Sequence, residues 1–327
     1  MYLLDLDQIE LGDIILTRSS ERESILIRQL TKSNYSHALI YVGSSSYIES
    51  NGLGVQSNNL QRLLFENTDD VVVLRLREEN LKSLLPGVVA FARQKIGTEY
   101  STSEAKLALL EKDILAKEEN RQFCTRFVAQ AYLEAGIKIV NNPDYCTPQE
   151  ILESQELVII DGLARKAMNK EIEFALNKNN PLEKQIAIHN YIFENARNIT
   201  GCDIQTFDQL GKYVLENLKR ENEIIEIIEK SGYLEMWKID VERNPWHYDY
   251  KDFLKHYPDP KQRKHVGYHL VITEKEIRER FYITLDTHKC SYSFYEQKYF
   301  KIFIELYKRL IELSEERKFV GLLALKN

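Results

Sequence analysis

Tyr35-Ser36-His37-Ala38-Leu39-Ile40-Tyr41-Val42-Gly43 is the stretch on which the fold turns. It reads as a near-continuous apolar strand ending at a glycine, opened by one polar residue, His37, where a core strand would carry Val or Ile. A structural histidine at a strand edge is the usual meaning of that pattern, so His37 needs partners before it means more. Upstream, Gly12-Asp13 opens the strand Ile14-Ile15-Leu16-Thr17. Between the two strands, apolar residues at 25, 26, 27 and 30 suit one face of a short helix. Downstream, 46–50 and 54–56 read as two short strands separated by the turn pair Asn51-Gly52. The run 70–76 is a further strand, and its Val71-Val72-Val73 core asks for burial on both faces.

Beyond that the period becomes helical. Pro86 starts a helix that Gly97 closes, 103–120 has the composition of an exposed helix, and 123–135 forms another, closed by Gly136. Past Ile160 the chain is mostly amphipathic helix, with segments at 181–198, 203–230 and 292–318. The Tyr-, His- and Trp-rich stretch 239–290 reads as irregular, with a hairpin. A domain boundary is expected near 160, giving an α+β domain over 1–160 and a mainly helical domain over 161–327. The helical half is expected to be separable, with residues 1–165 folding alone.

Composition narrows the function classes. The chain has 327 residues, enough for one large domain or two, and its 43% hydrophobic and 29% charged residues are those of a globular protein. With 44 Lys+Arg against 50 Asp+Glu, a net charge of −6 removes the counterion-release drive of non-specific nucleic-acid binders. No apolar run reaches the roughly 18 residues that span a bilayer, and the start Met1-Tyr2-Leu3-Leu4-Asp5-Leu6-Asp7 is acidic where a secretory signal is basic. Cytoplasmic residence is the default expectation, although a protein exported without a cleaved signal would read the same. Cysteines stand at 124, 146, 202 and 290, none in CxxC spacing, which argues against a disulfide scaffold or a Cys-rich zinc site.

Chemistry concentrates in three residues. Cys124 lies in Arg121-Gln122-Phe123-Cys124-Thr125-Arg126-Phe127-Val128, where a polar stretch becomes an apolar-periodic helix. A thiol at a helix N-terminus meets unpaired N–H groups and the positive end of the dipole, both of which favour a thiolate. On position alone, a small buried hydrophobe is the commoner reading of such a cysteine. His37 shifts the balance, as does Glu49 in Tyr47-Ile48-Glu49-Ser50, which by itself would be a solvated strand end. If the two strands pair antiparallel, Glu49 can face His37 and supply the carboxylate that orients a catalytic imidazole.

Taken in order, these pieces resemble a known family. Gly12–Leu16, Tyr35–Gly43, Tyr47–Ser50 with Gly54-Val55, Ile96-Gly97-Thr98-Glu99-Tyr100, Phe123–Val128 and Thr147-Pro148-Gln149-Glu150-Ile151 look like the permuted NlpC-type papain-fold cysteine hydrolases, YiiX/YebB-like branch. The resemblance covers about the first 160 residues. It implies a circularly permuted papain-like fold in which the histidine strand precedes the cysteine helix. Carried over by position, it implies Cys124 as nucleophile, His37 as base and Glu49 as third polar group. Thr125-Arg126 stand where many members carry Ser and an acidic residue, a departure that bears on substrate preference.

The expected reaction is cleavage of an amide or peptide bond through an acyl-enzyme, with peptide-like substrates, including cell-wall-type peptides, as the habitual class of the wider group. The Cys124 backbone N–H would hold the oxyanion, with Tyr35 or Gln122 as candidates for a second donor. Two alternatives stand beside it. One is a lipid acyl hydrolase or acyltransferase of the lecithin-retinol-acyltransferase type; the other is a non-catalytic binding or effector module. A protein partner, if any, is expected through the helical half, and neither a cofactor nor a metal is called for. His265 and His269 have helical ligand spacing and His288-Lys289-Cys290 could add two ligands from a strand, but Gly267 intervenes and no HExxH is present.

Overall fold

The computed structural model describes residues 1–101, 105 and 120–326, which form two compact units: Met1–Leu182 with Gln205–Asp208, and Glu183–Ile204 with Gln209–Asn327. The helix expected over 103–120 lies outside the described residues apart from residues 105 and 120.

The first unit is built on a six-stranded sheet with every neighbour antiparallel. Its strands are β2 (Ile14–Thr17), β3 (His37–Tyr41), β4 (Ser46–Asn51), β5 (Gly54–Asn59), β6 (Val71–Leu76) and β7 (Leu157–Ile160), in the order β5-β4-β3-β2-β6-β7. The apolar runs of β2, β3 and β6 are continuous because both faces are covered. On one face Ile14, Leu16, Ala38, Ile40, Ile48 and Leu74 pack with Val88 and Ala92 of the helix Leu85–Gln94 and with Phe127, Val128 and Ala131 of the helix Cys124–Glu134. On the other, Ile15, Leu39, Tyr41, Val71 and Val73 pack with Leu4, Phe65 and Leu163. The short helix expected near 24–30 spans Arg22–Thr31, and Ser24 ties it to the start of β3 through Ser36 (Oγ–Oγ 2.7 Å).

Three features differ from the expectations. The hairpin turns at Gly52-Leu53, and β5 runs to Asn59 instead of ending at Gln56, because its polar second half completes the ladder to Ser46. Residues after 160 continue the first unit. β8 (Ala164–Lys166) pairs antiparallel with β1 (Tyr2–Leu4), and Arg62 caps the far end of the helix Asn169–Leu176 by donating to the Asn177 carbonyl (2.7 Å). The compact unit therefore extends to Leu182.

The third difference lies in the second unit, where 239–290 holds no hairpin. Helices Trp237–Arg243 and Tyr250–His256 lead into one 36-residue helix, Pro260–Tyr295, followed by Lys298–Lys326; the break falls at Glu296, whose φ of 51° is left-handed. Gly267 is a packing residue and no helix breaker here. A Cβ on it would lie 2.7 Å from Ala324 Cβ, so its bare backbone is what lets the two long helices approach. The segment expected as one helix over 203–230 is two, Phe207–Glu216 and Glu221–Ser231. No described helix is long and apolar enough to cross a membrane.

A buried ion pair pins this helical unit. Glu274, 3% exposed, receives Arg317 Nε at 2.6 Å and Nη2 at 2.9 Å, while Arg317 Nη1 also reaches Tyr248 Oη (2.6 Å) and Asp240 Oδ2 (3.2 Å). Removing one partner strands the other charge in a dry site. Arg317→Met is therefore expected to destabilise the helical unit by about 3–5 kcal/mol, with most of the loss recovered in Arg317→Met/Glu274→Leu. Urea unfolding of the two variants checks this; equal losses would show that packing, and no charge pairing, carries the site.

Candidate active site

Three elements deliver three side chains to one place. β3 begins at His37, β4 carries Glu49, and the helix Cys124–Glu134, which packs over both strands, begins at Cys124. The β3–β4 register pairs Leu39 with Glu49, so His37 and Glu49 meet on the diagonal, with Nε2 to Oε2 at 2.6 Å. With Nε2 taken, Nδ1 is the ring nitrogen left for Cys124, whose sulfur is close enough to act on the imidazole.

The electrostatics follow from this line of contacts. Burial works against a charged His37, but the Cys124 sulfur, as hydrogen-bond partner and as charge, and then the Glu49 carboxylate outweigh it, raising the ring to about 10. For Glu49, burial acts upward, and His37 followed by Asn51 and Asn58 reverses it, holding the carboxyl below its usual range. His37 and Glu49 side chains are 26% and 12% exposed, so the pair is screened yet reachable.

Cys124 is partly exposed and is the first residue of its helix. The preceding Phe123 is extended and offers no side-chain cap, so the first-turn N–H groups are left to whatever sits at the sulfur. The other cysteines differ. Cys146 is buried, which pushes its thiol up, and it donates to the Thr125 carbonyl, whereas Cys202 and Cys290 are exposed on the helical unit. Thr125 and Arg126, the departure from the family pattern, face away into structure. Thr125 Oγ1 donates to the Cys146 carbonyl (2.5 Å), and fully buried Arg126 donates to the Asp144 carbonyl while lying over Phe123 and Tyr145.

The two candidates for a second oxyanion donor have different surroundings. The Tyr35 phenol, pushed up by burial, has Arg18, Asp69 and Asp70 as its charged neighbours. Gln122 donates one amide N–H to Gln130 (2.8 Å), which donates on to Asp144 (2.7 Å), and this bond holds its side chain two residues before Cys124. Tyr100 is the residue that sequence reasoning missed. Burial, then the Cys124 charge, then Glu23 push its phenol well up, so it stays a neutral O–H donor. Its segment is held on both sides: Gly97 and Thr98 bond to Val55 of β5, Tyr100 bridges Gln122, and the Glu99 amide donates to Oε1 of fully buried Gln205 (2.7 Å).

The histidines of the helical unit do not converge. His265, His269, His288 and Cys290 all lie on the one long helix, and at 1.5 Å rise per residue the two pairs stand roughly 30 Å apart. His288 stacks on Phe303 with ring centroids 4.8 Å apart, and among the described residues no three His, Cys, Asp or Glu side chains form a metal-sized group.

The family described as permuted papain-like amidase enzyme, YaeF/YiiX, C92 family, matches residues 8–178, over half of the chain. The chain belongs to that family. Its permuted papain-like α+β domain and its membership among cysteine amidases follow directly, and the matched span ends within a few residues of the compact unit's own end at Leu182. Among solved structures, the metalloprotein yiiX of Escherichia coli O157:H7 is similar at 19% identity with a TM-score of 0.38, over 47% of this chain and 97% of that chain. The comparison with curated proteins returned no match.

Proposed function

We propose that this C92-family chain is a cysteine amidase that cleaves an amide or peptide bond of a peptide-like substrate, with Cys124 as nucleophile, His37 as its proton partner and Glu49 as the carboxylate that holds His37. The observation that carries this reading is the 2.6 Å hydrogen bond of His37 to Glu49 beside a partly exposed Cys124 that opens its helix, with the sulfur acting directly on the imidazole. With the proton already on His37, the Cys124 thiolate attacks the carbonyl carbon. The developing oxyanion is held by the Cys124 N–H and the Tyr100 hydroxyl. The imidazolium then protonates the leaving amine, giving a thioester. Water, deprotonated by neutral His37, releases the acid and restores the starting pair.

Iodoacetamide labelling at pH 6 with mass-spectrometric mapping tests the nucleophile. Cys124 is expected to label first and Cys146 not at all, since the latter is buried with its thiol pushed up. Labelling of Cys202 and Cys290 as fast as Cys124 would remove the basis for an activated sulfur.

The pH dependence has a definite sign. A ring raised to about 10 is charged at neutral pH, so the acid that serves the leaving group is lost as pH rises through about 10. Hydrolysis should fall across that limb, whereas alkylation of Cys124, which needs only the thiolate, should not. Parallel losses in both would point to alkaline unfolding as the cause. Because the folded ring sits above its ordinary 6.5, its contribution to stability is complete below 6.5 and disappears toward 10.

A further inference from the structure

Glu49 has two carboxylate oxygens and three donors, and they are not shared at random. Oε2 faces only His37, while Oε1 receives Asn58 Nδ2 at 2.8 Å and Asn51 Nδ2 at 3.1 Å. Asn51 lies two residues along β4, on the face that Tyr47 and Glu49 share. Asn58 comes from the neighbouring edge strand: the β4–β5 register sets it opposite Tyr47, one diagonal step from Glu49. Asparagine is poorly suited to strands, so two of them converging on one oxygen of a half-buried carboxylate is an arrangement that strand formation alone does not ask for.

We propose that Asn51 and Asn58 are positioning residues, an amide clamp that fixes the Glu49 carboxylate through Oε1 and reserves Oε2 for His37. The proposal rests on the reading of Cys124, His37 and Glu49 as one catalytic unit, and it adds residues to that unit that touch neither the substrate nor the sulfur.

The choice of a neutral donor has a physical consequence. A lysine or arginine at either position would satisfy Oε1 equally well but would cancel part of the charge on which the imidazolium depends. An amide orients the carboxylate and keeps it ionised while leaving its full negative charge for His37. The charged surroundings are consistent with this. Of the groups that face Glu49, β3 supplies His37, β5 supplies the uncharged Asn58, its own strand supplies the Tyr47 phenol, and the cysteine helix acts only through Cys124 on the far side of the ring. No second cation competes for the carboxylate among these.

The test is a double-mutant cycle read by the pH profile of Cys124 alkylation, which needs no substrate. Asn58→Leu keeps the size and removes the donor. In the otherwise native protein it should move the pH profile of alkylation by about one unit, the scale of one lost hydrogen bond to a charged group. In a Glu49→Gln background the same replacement should change the rate less than about two-fold, because there is no carboxylate left to hold. An equal change in both backgrounds would reduce Asn58 to a generic strand residue and overturn the clamp, as would a profile that superimposes on the wild type. If Asn58→Leu does not fold, Asn58→Ala carries the same cycle, with thermal unfolding as the check. Should wild-type Cys124 alkylate no faster than Cys202 and Cys290, the catalytic reading itself fails and the clamp with it, a result distinct from a clamp that fails on an active thiol.

Discussion

Cys124→Ala is expected to leave hydrolysis at the uncatalysed background, and His37→Ala to fall close to it. Removing the sulfur deletes the covalent path. Removing the imidazole deletes both the base and the acid, and members of one catalytic unit do not contribute additively. Glu49→Gln is the informative member of the series. The amide oxygen can still accept from His37 Nε2, with its NH2 then facing the donor amides of Asn51 and Asn58, but the charge that supports the imidazolium is gone. A loss on the order of 10 to 10³ in rate is expected, smaller than the roughly 10⁴ seen where such a change leaves the wrong tautomer. The measurement is steady-state hydrolysis on any amide the wild type turns over, paired with intact-mass detection of an acyl adduct on Cys124. Wild-type rates in Glu49→Gln beside a dead His37→Ala would mean that another residue orients the ring. An acyl adduct from esters but none from amides would favour the lipid acyl hydrolase alternative.

A chain ended at residue 160 is expected to lose cooperative folding, whereas one ended at Leu182 keeps it. The segment between them supplies β8, the only strand paired with β1 among the described residues, and Leu163, 2% exposed in the second core. Cutting at 160 removes Leu163 and uncovers Leu3 and Leu4, each 3% exposed in the intact chain. At about 1.5–3 kcal/mol per buried leucine, the three together approach the 5–15 kcal/mol that holds a whole domain. A cut at 165 divides β8 and should behave almost as badly. The shorter and longer fragments are compared by thermal unfolding with a far-ultraviolet readout; equal, cooperative transitions would show that the β1–β8 pair is an accessory. The longer fragment also lacks Gln205, so its Glu99 amide loses an acceptor, and the Tyr100 segment is expected to exchange amide hydrogens faster than in the full chain.

Misplaced boundaries in the sequence reading have a common origin. β8 is three residues, Ala164-Arg165-Lys166, with no hydrophobic period, and it exists because residues 2–4 run beside it. The helix 260–295 was obscured by Gly267 and by a run of Tyr and His that propensity does not favour. Its partner helix overrides both, since Gly267 is where their backbones meet. In each case the deciding term was a contact with a segment far away in the chain, which no local window contains.

The sequence by itself determined the strands and helices whose burial is written in their side chains: the apolar run after His37, the Val71-Val72-Val73 core, and the helix that Cys124 begins. It also determined the order of the motifs, histidine strand before cysteine helix, by which the fold was recognised. Only the tertiary structure decided what surrounds the sulfur. The diagonal between His37 and Glu49 depends on the β3–β4 register, Asn58 reaches the carboxylate because an edge strand runs three residues farther than its polar sequence suggested, and the Tyr100 segment is fixed by bonds to Val55, Gln122 and Gln205. Hydrophobic period marks a residue for the interior, since burial is rewarded wherever apolar neighbours are found. A catalytic contact has to be met within a few tenths of an ångström and from a direction, and that is fixed by the register and packing of elements distant in sequence.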